Sequence, residues 1–260
     1  MPSQDGNIAI SVVIPVYNGR NTIGRALDSV LAQSLPAHEV IVVDDASTDD
    51  TVSYLRALYG DRIKLIESRV NSGSSVARNT GLDAATGTHI ALLDADDAWH
   101  KDKLAIAARI LSQDRKIALL YHDHTLRDIM HDAITKSPQV HGVSFVGLVL
   151  RNTISTSCVV LRNGAGFRFE RTMRHTEDHD LWLRICYRHK AAYIPYELTR
   201  LFRGVTTKGG VSGDRWAMRK GELRAYARLV RLNILFAPVV PLLWGYSLLK
   251  HVAKLAGIRK

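Results

Sequence analysis

Three aspartates at the end of an apolar run are the residues of this chain most suited to chemistry. The stretch HIALLDADDAW places Asp94, Asp96 and Asp97 directly after residues typical of a buried strand. Carboxylates so close together repel one another, so stability alone does not explain them. In an extended chain Asp94 and Asp96 would point the same way and could share a divalent cation. Mg²⁺-type sites use one or two carboxylates plus phosphate oxygens of a substrate, so the pair predicts a metal–diphosphate site. The alternative is an acidic turn in which Asp97 caps a helix beginning near Lys101.

Two more clusters have side chains that suit an anionic or ionised ligand. Asp44 and Asp45 end another apolar run, where a phospho-acceptor receiver domain would also place acidic residues, although receivers are usually about half this length. Arg78 follows a Gly/Ser loop at the start of a helical pattern, where free N–H groups and a guanidinium suit a phosphate, with a surface salt bridge as the alternative.

A third acidic cluster and several histidines have less specific patterns. Glu177, Asp178 and Asp180 begin a helical pattern and could act in acid–base chemistry or simply favour the helix dipole. A metal cluster is a further possibility, but the spacing of the histidines and the one aspartate involved fits no zinc pattern. These residues are His122, Asp123, His124, His131 and His175.

The first half of the chain alternates strand and helix patterns. Strands are predicted at residues 8–16, 39–45, 62–68 and 89–94, and helices at 21–33, 47–60 and 74–87, with Ser47 as a candidate N-cap. This alternation predicts an α/β fold with a mostly parallel sheet and helices on both faces. Ligands of such sheets bind outside the carboxyl ends of the strands, so the polar residues there should converge on one crevice.

The second half is less regular. Helices are predicted at residues 103–113, 143–151, 178–189 and about 216–232, and strands at 116–123 and 153–163. No linker separates the halves. We therefore expect one domain over residues 1–214, followed by a C-terminal helical extension over residues 215–260.

The composition of the 260 residues is that of a globular protein, with 46% hydrophobic and 23% charged residues. The N-terminal residues lack the basic and apolar regions of a secretory signal. Cys158 and Cys186 show no metal spacing, so a cytosolic location with reduced cysteines is expected.

The net charge of +10 comes from the C-terminal part, where residues 200–260 hold 13 Lys and Arg against two acidic residues. No aromatic–basic motif indicates nucleic-acid binding. Residues 232–249 are uncharged and would span about 27 Å as one helix, but Pro238 and Pro241 disfavour an uninterrupted helix. An interfacial or re-entrant anchor on an anionic membrane surface is favoured over a full span. The alternative is a helix packed on the main body.

Four sequence motifs in a fixed order show a resemblance to a known family. They are VVIPVYNGRNTIGRALDSVLAQ, EVIVVDDASTDDT, NSGSSVARNTGLDAATGTHIALLDADD and TEDHDLWLRI. Together they resemble family 2 glycosyltransferases with the GT-A fold, over roughly residues 8–200. The resemblance implies a Rossmann-like, mostly parallel sheet and an inverting, metal-dependent transferase that uses a nucleotide-diphosphate sugar with Mn²⁺ or Mg²⁺.

The first two motifs correspond to the nucleotide side of the family's site. By this resemblance Pro15, Tyr17 and Asn18 lie at the strand end beside the nucleotide. Asp44 and Asp45 match the acidic pair that holds the base and the ribose.

The later motifs correspond to the diphosphate, the metal and the acceptor. Arg78 matches a nucleotide or diphosphate contact, Asp94 would contact the ribose or the metal, and Asp96 would bind the metal. Asp178 is similar to the general base, with its neighbour Glu177 as the alternative.

The resemblance also implies a reaction. A metal would neutralise the leaving diphosphate, while the base takes the proton of an acceptor hydroxyl that attacks C1 from the opposite face, so one displacement inverts the anomeric centre. Processive members carry Q-x-x-R-W, whereas this chain has Ser212 before Arg215 and Trp216. Transfer of a single sugar is therefore expected. Arg203 and Lys208, in a Gly-rich loop, could close over the diphosphate, with a flexible surface loop as the alternative.

The expected function is transfer of one sugar to a hydroxyl of a polyprenyl-diphosphate-linked oligosaccharide in surface polysaccharide biosynthesis. A UDP-hexose is the expected donor because UDP is common in the family that the chain resembles. The enzyme would act at the inner face of the cell membrane, attached through its C-terminal segment. Two alternatives stay open, namely transfer to polyprenyl phosphate itself and a non-catalytic sugar-nucleotide-binding or scaffold protein. The sequence does not indicate an oligomeric state.

Overall fold

The computed structural model describes residues 8–129, 134, 138–202 and 214–255. The strands are β1 (Ile10–Val16), β2 (Glu39–Asp44), β3 (Lys64–Glu67), β4 (His89–Leu92), β5 (Ala98–Trp99), β6 (Ile117–Thr125), β7 (His141–Gly142), β8 (Val159–Arg162) and β9 (Lys190–Arg200). The α-helices are α1 (Ile23–Leu31), α2 (Thr51–Leu58), α3 (Ser74–Ala84), α4 (Lys103–Gln113), α5 (Phe145–Leu150), α6 (Glu177–Arg188), α7 (Arg215–Arg228) and α8 (Val240–Leu255).

One mixed sheet organises the described residues, in the order β3-β2-β1-β4-β8-β6-β9-β5, with β7 paired to β9. Strands β1 to β4 are mutually parallel, β8 runs antiparallel to both β4 and β6, and β9 is parallel to β6. The carboxyl ends of β1, β2, β4, β6 and β9 therefore lie at the same edge as the amino end of β8. The predicted α/β fold with a mostly parallel sheet is confirmed, and polar loops from both halves of the chain meet at that edge.

The sheet has an apolar cluster on each face because side chains alternate along its strands. In β1, Val12, Ile14 and Val16 belong to the cluster that includes residues of α1 and α4. Val13 belongs to the other cluster, with residues of α3, α6 and α7. Strands buried on both faces explain the continuous apolar runs of the sequence.

The C-terminal helices share the second of these clusters. Tyr226 of α7 is fully buried, and its hydroxyl donates to the backbone carbonyl of Val149. A Cβ at Gly221 would lie 2.2 Å from Oγ1 of Thr176, so only glycine allows α7 this close to the turn before α6. Helix α7 thus supports that turn, while the boundary predicted at residues 214 and 215 stays a prediction.

Among the described residues, no helix is both long enough and apolar enough to cross a membrane.

The start of α2 and the strand β9 differ from the sequence-based expectations. Helix α2 begins at Thr51 with Asp50 at the N-cap, so the prediction of Ser47 as N-cap is wrong. Ser47 instead accepts a hydrogen bond from the backbone N–H of Asn18, at 2.8 Å. Strand β9, which no pattern predicted, pairs along most of β6 with three register shifts, and such irregular pairing removes the regular alternation that would reveal a strand.

Candidate active site

The ends of β1 and β2 are joined by a side-chain network around Asn18. Its Oδ1 accepts from the backbone N–H of Thr48 at 2.8 Å and of Asp49 at 3.3 Å. Asn18 has a left-handed backbone, with φ of 50°, which asparagine tolerates better than most residues. Pro15 lies in β1 opposite Val43, and Tyr17 is half exposed just beyond the strand.

Asp44 and Asp45 are both buried at the end of β2, but their oxygens differ in what they bind. Asp45 accepts from the backbone N–H groups of Ser72 at 3.0 Å and Gly73 at 2.7 Å, which holds the loop before α3. Asp44 accepts from Ser47 N–H through Oδ2, while its buried Oδ1 has no hydrogen-bond partner among the residues that the structure describes. A buried acceptor without a partner is costly, so this oxygen suits a hydroxyl or N–H donor of a ligand.

The loop after β4 is held by Ser157, a residue that no sequence pattern indicated. Its Oγ accepts from the backbone N–H of Asp94 at 3.1 Å and donates to Oδ2 of Asp97 at 2.6 Å. Its carbonyl accepts from Trp99 Nε1 and from the fully buried Lys103 Nζ, at 2.8 and 2.9 Å. The short helix Thr156–Cys158 thus fixes the loop that carries the three aspartates.

Asp97 is a structural residue rather than a helix cap. Burial, and next the charge of Asp94, raise the pKa of Asp97 to about 8. Helix α4 begins at Lys103 with Asp102 at the N-cap, so the alternative explanation of Asp97 as a cap is wrong. Asp94 and Asp96 are only partly buried, so these two carboxylates of the cluster are accessible to a ligand.

Arg78 joins the two halves of the site. Its Nη2 donates to Asp94 Oδ1 at 2.8 Å and its Nη1 to Glu177 Oε1 at 3.0 Å, with only 8% of its side chain exposed. Burial alone would lower the pKa of Arg78, but the charges of Asp94 and Glu177 outweigh that effect and raise it. The arginine is a buried ion-pair centre, and its predicted contact with a diphosphate stays a prediction.

Glu177 and Asp178 lie at the start of α6 in different surroundings. Glu177 is buried and also accepts from Ser74 Oγ at 3.1 Å. Asp178 is half-buried, and Asn152 Nδ2 donates to its Oδ2 at 3.3 Å. Burial, and next the charge of Glu177, raise the pKa of Asp178 to about 6. The preceding residue Thr176 has a left-handed backbone, φ 56°, a strained conformation of the kind that clusters at functional sites.

The remaining sequence candidates have structural partners or lie apart. Asp180 is buried and binds Arg184 Nε at 2.9 Å and Arg228 Nε at 2.7 Å, an ion-pair role. No group of three or more His, Cys, Asp or Glu side chains suits a metal in the described part of the chain. His131, Arg203, Lys208 and Ser212 lie outside the described residues. Cys158 and Cys186 are free thiols, as expected.

The donor set at the loop suits a hard divalent cation. Carboxylate oxygens are the ligands that Mg²⁺ and Mn²⁺ prefer, and Mg²⁺ keeps several waters or phosphate oxygens when a protein supplies only one or two carboxylates. Asp94 and Asp96 are such a partial set, with one Asp94 oxygen already bound to Arg78. Asp96 would hold the ion, with Asp94 beside it.

Comparison with known proteins assigns the chain to a family. A model described as glycosyl transferase family 2 matches residues 11–138. TuaG of Bacillus subtilis (strain 168), named as a teichuronic acid biosynthesis glycosyltransferase, is 31% identical over 234 residues, which cover 88% of this chain and 91% of TuaG. The chain belongs to glycosyl transferase family 2. This confirms the resemblance noted in the sequence, and the protein is a glycosyltransferase.

Other family 2 relatives and GT-A structures extend the comparison. Escherichia coli WfgD, named UDP-Glc:alpha-D-GlcNAc-diphosphoundecaprenol beta-1,3-glucosyltransferase, is 31% identical over 176 residues, covering 68% of this chain and 69% of WfgD. The mannosyltransferase PcManGT from Pyrobaculum calidifontis, solved with GDP-Man and Mn²⁺, has a TM-score of 0.66 and 20% identity, covering 100% of this chain and 78% of that one. The structural likeness confirms the GT-A fold.

Proposed function

We propose that this glycosyltransferase moves one sugar from a nucleotide-diphosphate sugar, with UDP-hexose as the first candidate, to a hydroxyl of a lipid-linked oligosaccharide with inversion at C1. The observation that carries the proposal is the bridging position of Arg78. One guanidinium binds both Asp94, on the donor side, and Glu177, beside Asp178. Donor-binding carboxylates and a candidate base therefore lie within reach of a single reacting centre.

The donor side is supported by the chemistry at the ends of β1, β2 and β4. Asp44 Oδ1 is a buried acceptor with no partner in the described part of the chain, which suits the base or ribose of a nucleotide. Asp94 and Asp96 supply carboxylates for Mn²⁺ or Mg²⁺, which when bound would neutralise the charge of the leaving diphosphate. The relative WfgD is named for UDP-Glc, and PcManGT was solved with GDP-Man and Mn²⁺.

The acceptor side is supported by the contrast between two neighbouring carboxylates. Arg78 Nη1 and Ser74 Oγ both donate to Glu177 Oε1, so Glu177 positions Arg78. Asp178 is partly exposed, with a pKa near 6. A base works best when its pKa lies near the working pH, so Asp178 takes the proton of the attacking hydroxyl. The hydroxyl oxygen displaces the nucleotide diphosphate in one step, with no enzyme-bound intermediate.

An exposed apolar surface supports a membrane-linked acceptor. This surface, the α8 face, consists of side chains at least two-fifths exposed on the turn before α8 and on α8 itself: Ile234, Leu235, Leu242, Trp244, Leu248, Leu249 and Val252. Lys250 Nζ donates to the carbonyl of Leu150 at 3.3 Å, so the α8 face adjoins the end of α5. Asn152, two residues on, binds Asp178. The proposed membrane surface therefore leads to the proposed base.

The donor proposal predicts a specific loss in Asp96→Ala. Without its carboxylate, binding of UDP-sugars or GDP-sugars in Mn²⁺ should weaken by about tenfold or more, whereas binding in a chelator should change little. Isothermal titration of a donor panel measures both. Asp61→Ala, an exposed aspartate away from the site, is the matched control. Unchanged metal-dependent affinity would remove Asp96 as a ligand, and a wild type that binds no nucleotide sugar would overturn the proposed function.

The membrane proposal predicts that the protein co-sediments with vesicles rich in phosphatidylglycerol. Each buried leucine contributes about 1.5–3 kcal/mol, so the double variant Leu242→Glu and Leu249→Glu should lower the fraction bound by about tenfold or more. Leu58→Glu with Val70→Glu, two comparably exposed apolar residues outside the α8 face, should bind like the wild type. Equal binding of the α8 variant would contradict the proposal.

A further inference from the structure

A second charged cleft lies outside the donor site. It has a volume of about 570 Å³ and is lined by α1, α2, β5 and the end of β9. Its charged and aromatic lining residues are Arg20, Arg25, Asp28, Tyr54, Arg200 and Phe202. None of the residues assigned above to the nucleotide, the metal or the base is part of the lining. No sequence pattern indicates this cleft, because its residues come from four separate segments.

Aromatic rings hold all three arginines of the cleft in place. The guanidinium carbon of Arg20 lies 3.7 Å from the ring centre of Tyr54. Those of Arg25 and Arg200 lie 3.4 and 4.3 Å from the ring centre of Phe202. A guanidinium stacked on a ring keeps its N–H edge available in its own plane, and this fork geometry matches phosphate oxygens.

The positive charge of the cleft is only partly neutralised. Among the described residues, no carboxylate lies within 4.0 Å of the Arg20 or Arg25 guanidinium, while Arg200 binds Asp128 at 3.1 Å. The carboxylate of Asp28 accepts the hydroxyl of Tyr59 at 2.9 Å. The charges of Asp96 and Asp97 act on Arg25, so the cleft offers an anion one arginine without a paired carboxylate among the described residues, Arg20, and two that are partly compensated, Arg25 and Arg200. Its volume lies in the range of small-molecule sites.

The cleft adjoins the metal-binding loop. Arg25 Nη2 donates to the backbone carbonyl of Asp96 at 3.0 Å, so an anion bound to these arginines lies beside the proposed transfer site. The cleft lies on α1, which packs on one face of the sheet, whereas Leu243 of α8 belongs to the core cluster of the opposite face. A lipid headgroup at the α8 face is therefore not the expected source of the anion.

We propose that this cleft binds a phosphate group carried on the saccharide part of the acceptor, separately from the diphosphate of the donor. The inference rests on the proposed function for the identity of the acceptor, but not for the binding of the anion. It implies that the natural acceptor glycan is itself phosphorylated.

The test uses glucose 6-phosphate as the probe, titrated calorimetrically into the full-length protein with and without saturating UDP and Mg²⁺. We expect binding in both conditions, tighter than that of inorganic phosphate or glucuronate. Arg20→Ala with Arg200→Ala should weaken it by about tenfold or more, because each charge-assisted hydrogen bond is lost. Arg109→Ala, an exposed arginine of α4, is the control. Unchanged UDP affinity shows that each variant is folded, and the exposed single variant Arg20→Ala should by itself show part of the loss.

Several outcomes would overturn the proposal. Competition by UDP would place the probe in the donor site, and unaltered binding by the Arg20 variants would place it elsewhere. Equal affinity for inorganic phosphate would show that the saccharide does not contribute to binding. A preference for glucuronate would show that the cleft does not select a phosphate group. If UDP does not bind but glucose 6-phosphate still depends on Arg20 and Arg200, the proposed donor fails while the anion site holds.

Discussion

Replacing Asp178 by asparagine is expected to reduce kcat by about 10²–10⁴-fold, the usual contribution of a general base, while nucleotide-sugar affinity stays near that of the wild type. Asparagine keeps the shape of Asp178 but cannot accept a proton. Donor affinity should persist because the Asp178 contacts are to Asn152 and to the backbone of His179, at 3.3 and 2.7 Å. Release of nucleoside diphosphate in the presence of an acceptor measures the rate, and calorimetry measures binding.

The pH profile of activity is a second test of Asp178 as the general base. Burial, and next the charge of Glu177, raise the pKa of Asp178 to about 6. Only the ionised carboxylate can accept a proton, so kcat/KM should rise through about pH 6 and level off above it. In Asp178→Asn this limb should disappear from the residual activity.

Glu177→Gln separates the two neighbouring carboxylates. Glu177 is buried and bound by Arg78 and Ser74, so the variant should lose stability but retain a larger part of the turnover. Because the charge of Glu177 helps to raise the pKa of Asp178, the limb of the pH profile should persist but move to lower pH. The reverse result, with Asp178→Asn within about threefold of wild-type turnover and Glu177→Gln inactive, would transfer the role of base to Glu177.

Much of the donor side could be predicted from the sequence because its elements are local. Strands β1, β2 and β4 are uninterrupted apolar runs, and helices α1 and α3 follow with clear periodicity. Parallel strands must present their carboxyl ends together, so the convergence of Asn18, Asp44 and Asp94 follows once the strands are recognised. The prediction of Ser47 as an N-cap fails because a serine before acidic residues resembles a helix cap, whereas its hydroxyl accepts the backbone N–H of Asn18.

The contacts that join the acceptor side to the donor side, and those that fix the loop of Asp94, could not be derived in the same way because they span the chain. Arg78 binds Glu177 across 99 positions, and Ser157 fixes the loop of Asp94 across 63. No periodicity encodes such pairs. Strand β9 has a mixed polar and apolar sequence and shifts register against β6. Neither its existence nor its pairing with β5 could therefore be predicted from the sequence.

Arg78→Met is expected to destabilise the protein by about 3–5 kcal/mol, the usual cost of removing one partner of a buried ion pair. The side chains of Arg78 and Glu177 are only 8% and 9% exposed, so methionine would leave the Glu177 carboxylate buried without its cation. Asp94, one-third exposed, can recover part of its hydration. Urea unfolding monitored by circular dichroism measures the loss. The control Arg56→Met removes an exposed pair with Glu67, with 65% and 41% exposure, and should cost about 0–1 kcal/mol.

A second substitution shows whether the unpaired carboxylate causes that loss. Adding Glu177→Gln to Arg78→Met removes the uncompensated charge, so the double variant should recover part of the stability and be more stable than Arg78→Met alone. If stability is not recovered, the loss is caused mainly by lost packing of the arginine side chain. Its guanidinium carbon lies 5.4 Å from the ring centre of Phe169. Because Arg78 also orients Asp94, even the recovered variant should bind nucleotide sugar and metal less tightly than the wild type. That combination, stability regained without donor affinity, would show that one guanidinium stabilises the fold and also sets the position of the donor-side carboxylate.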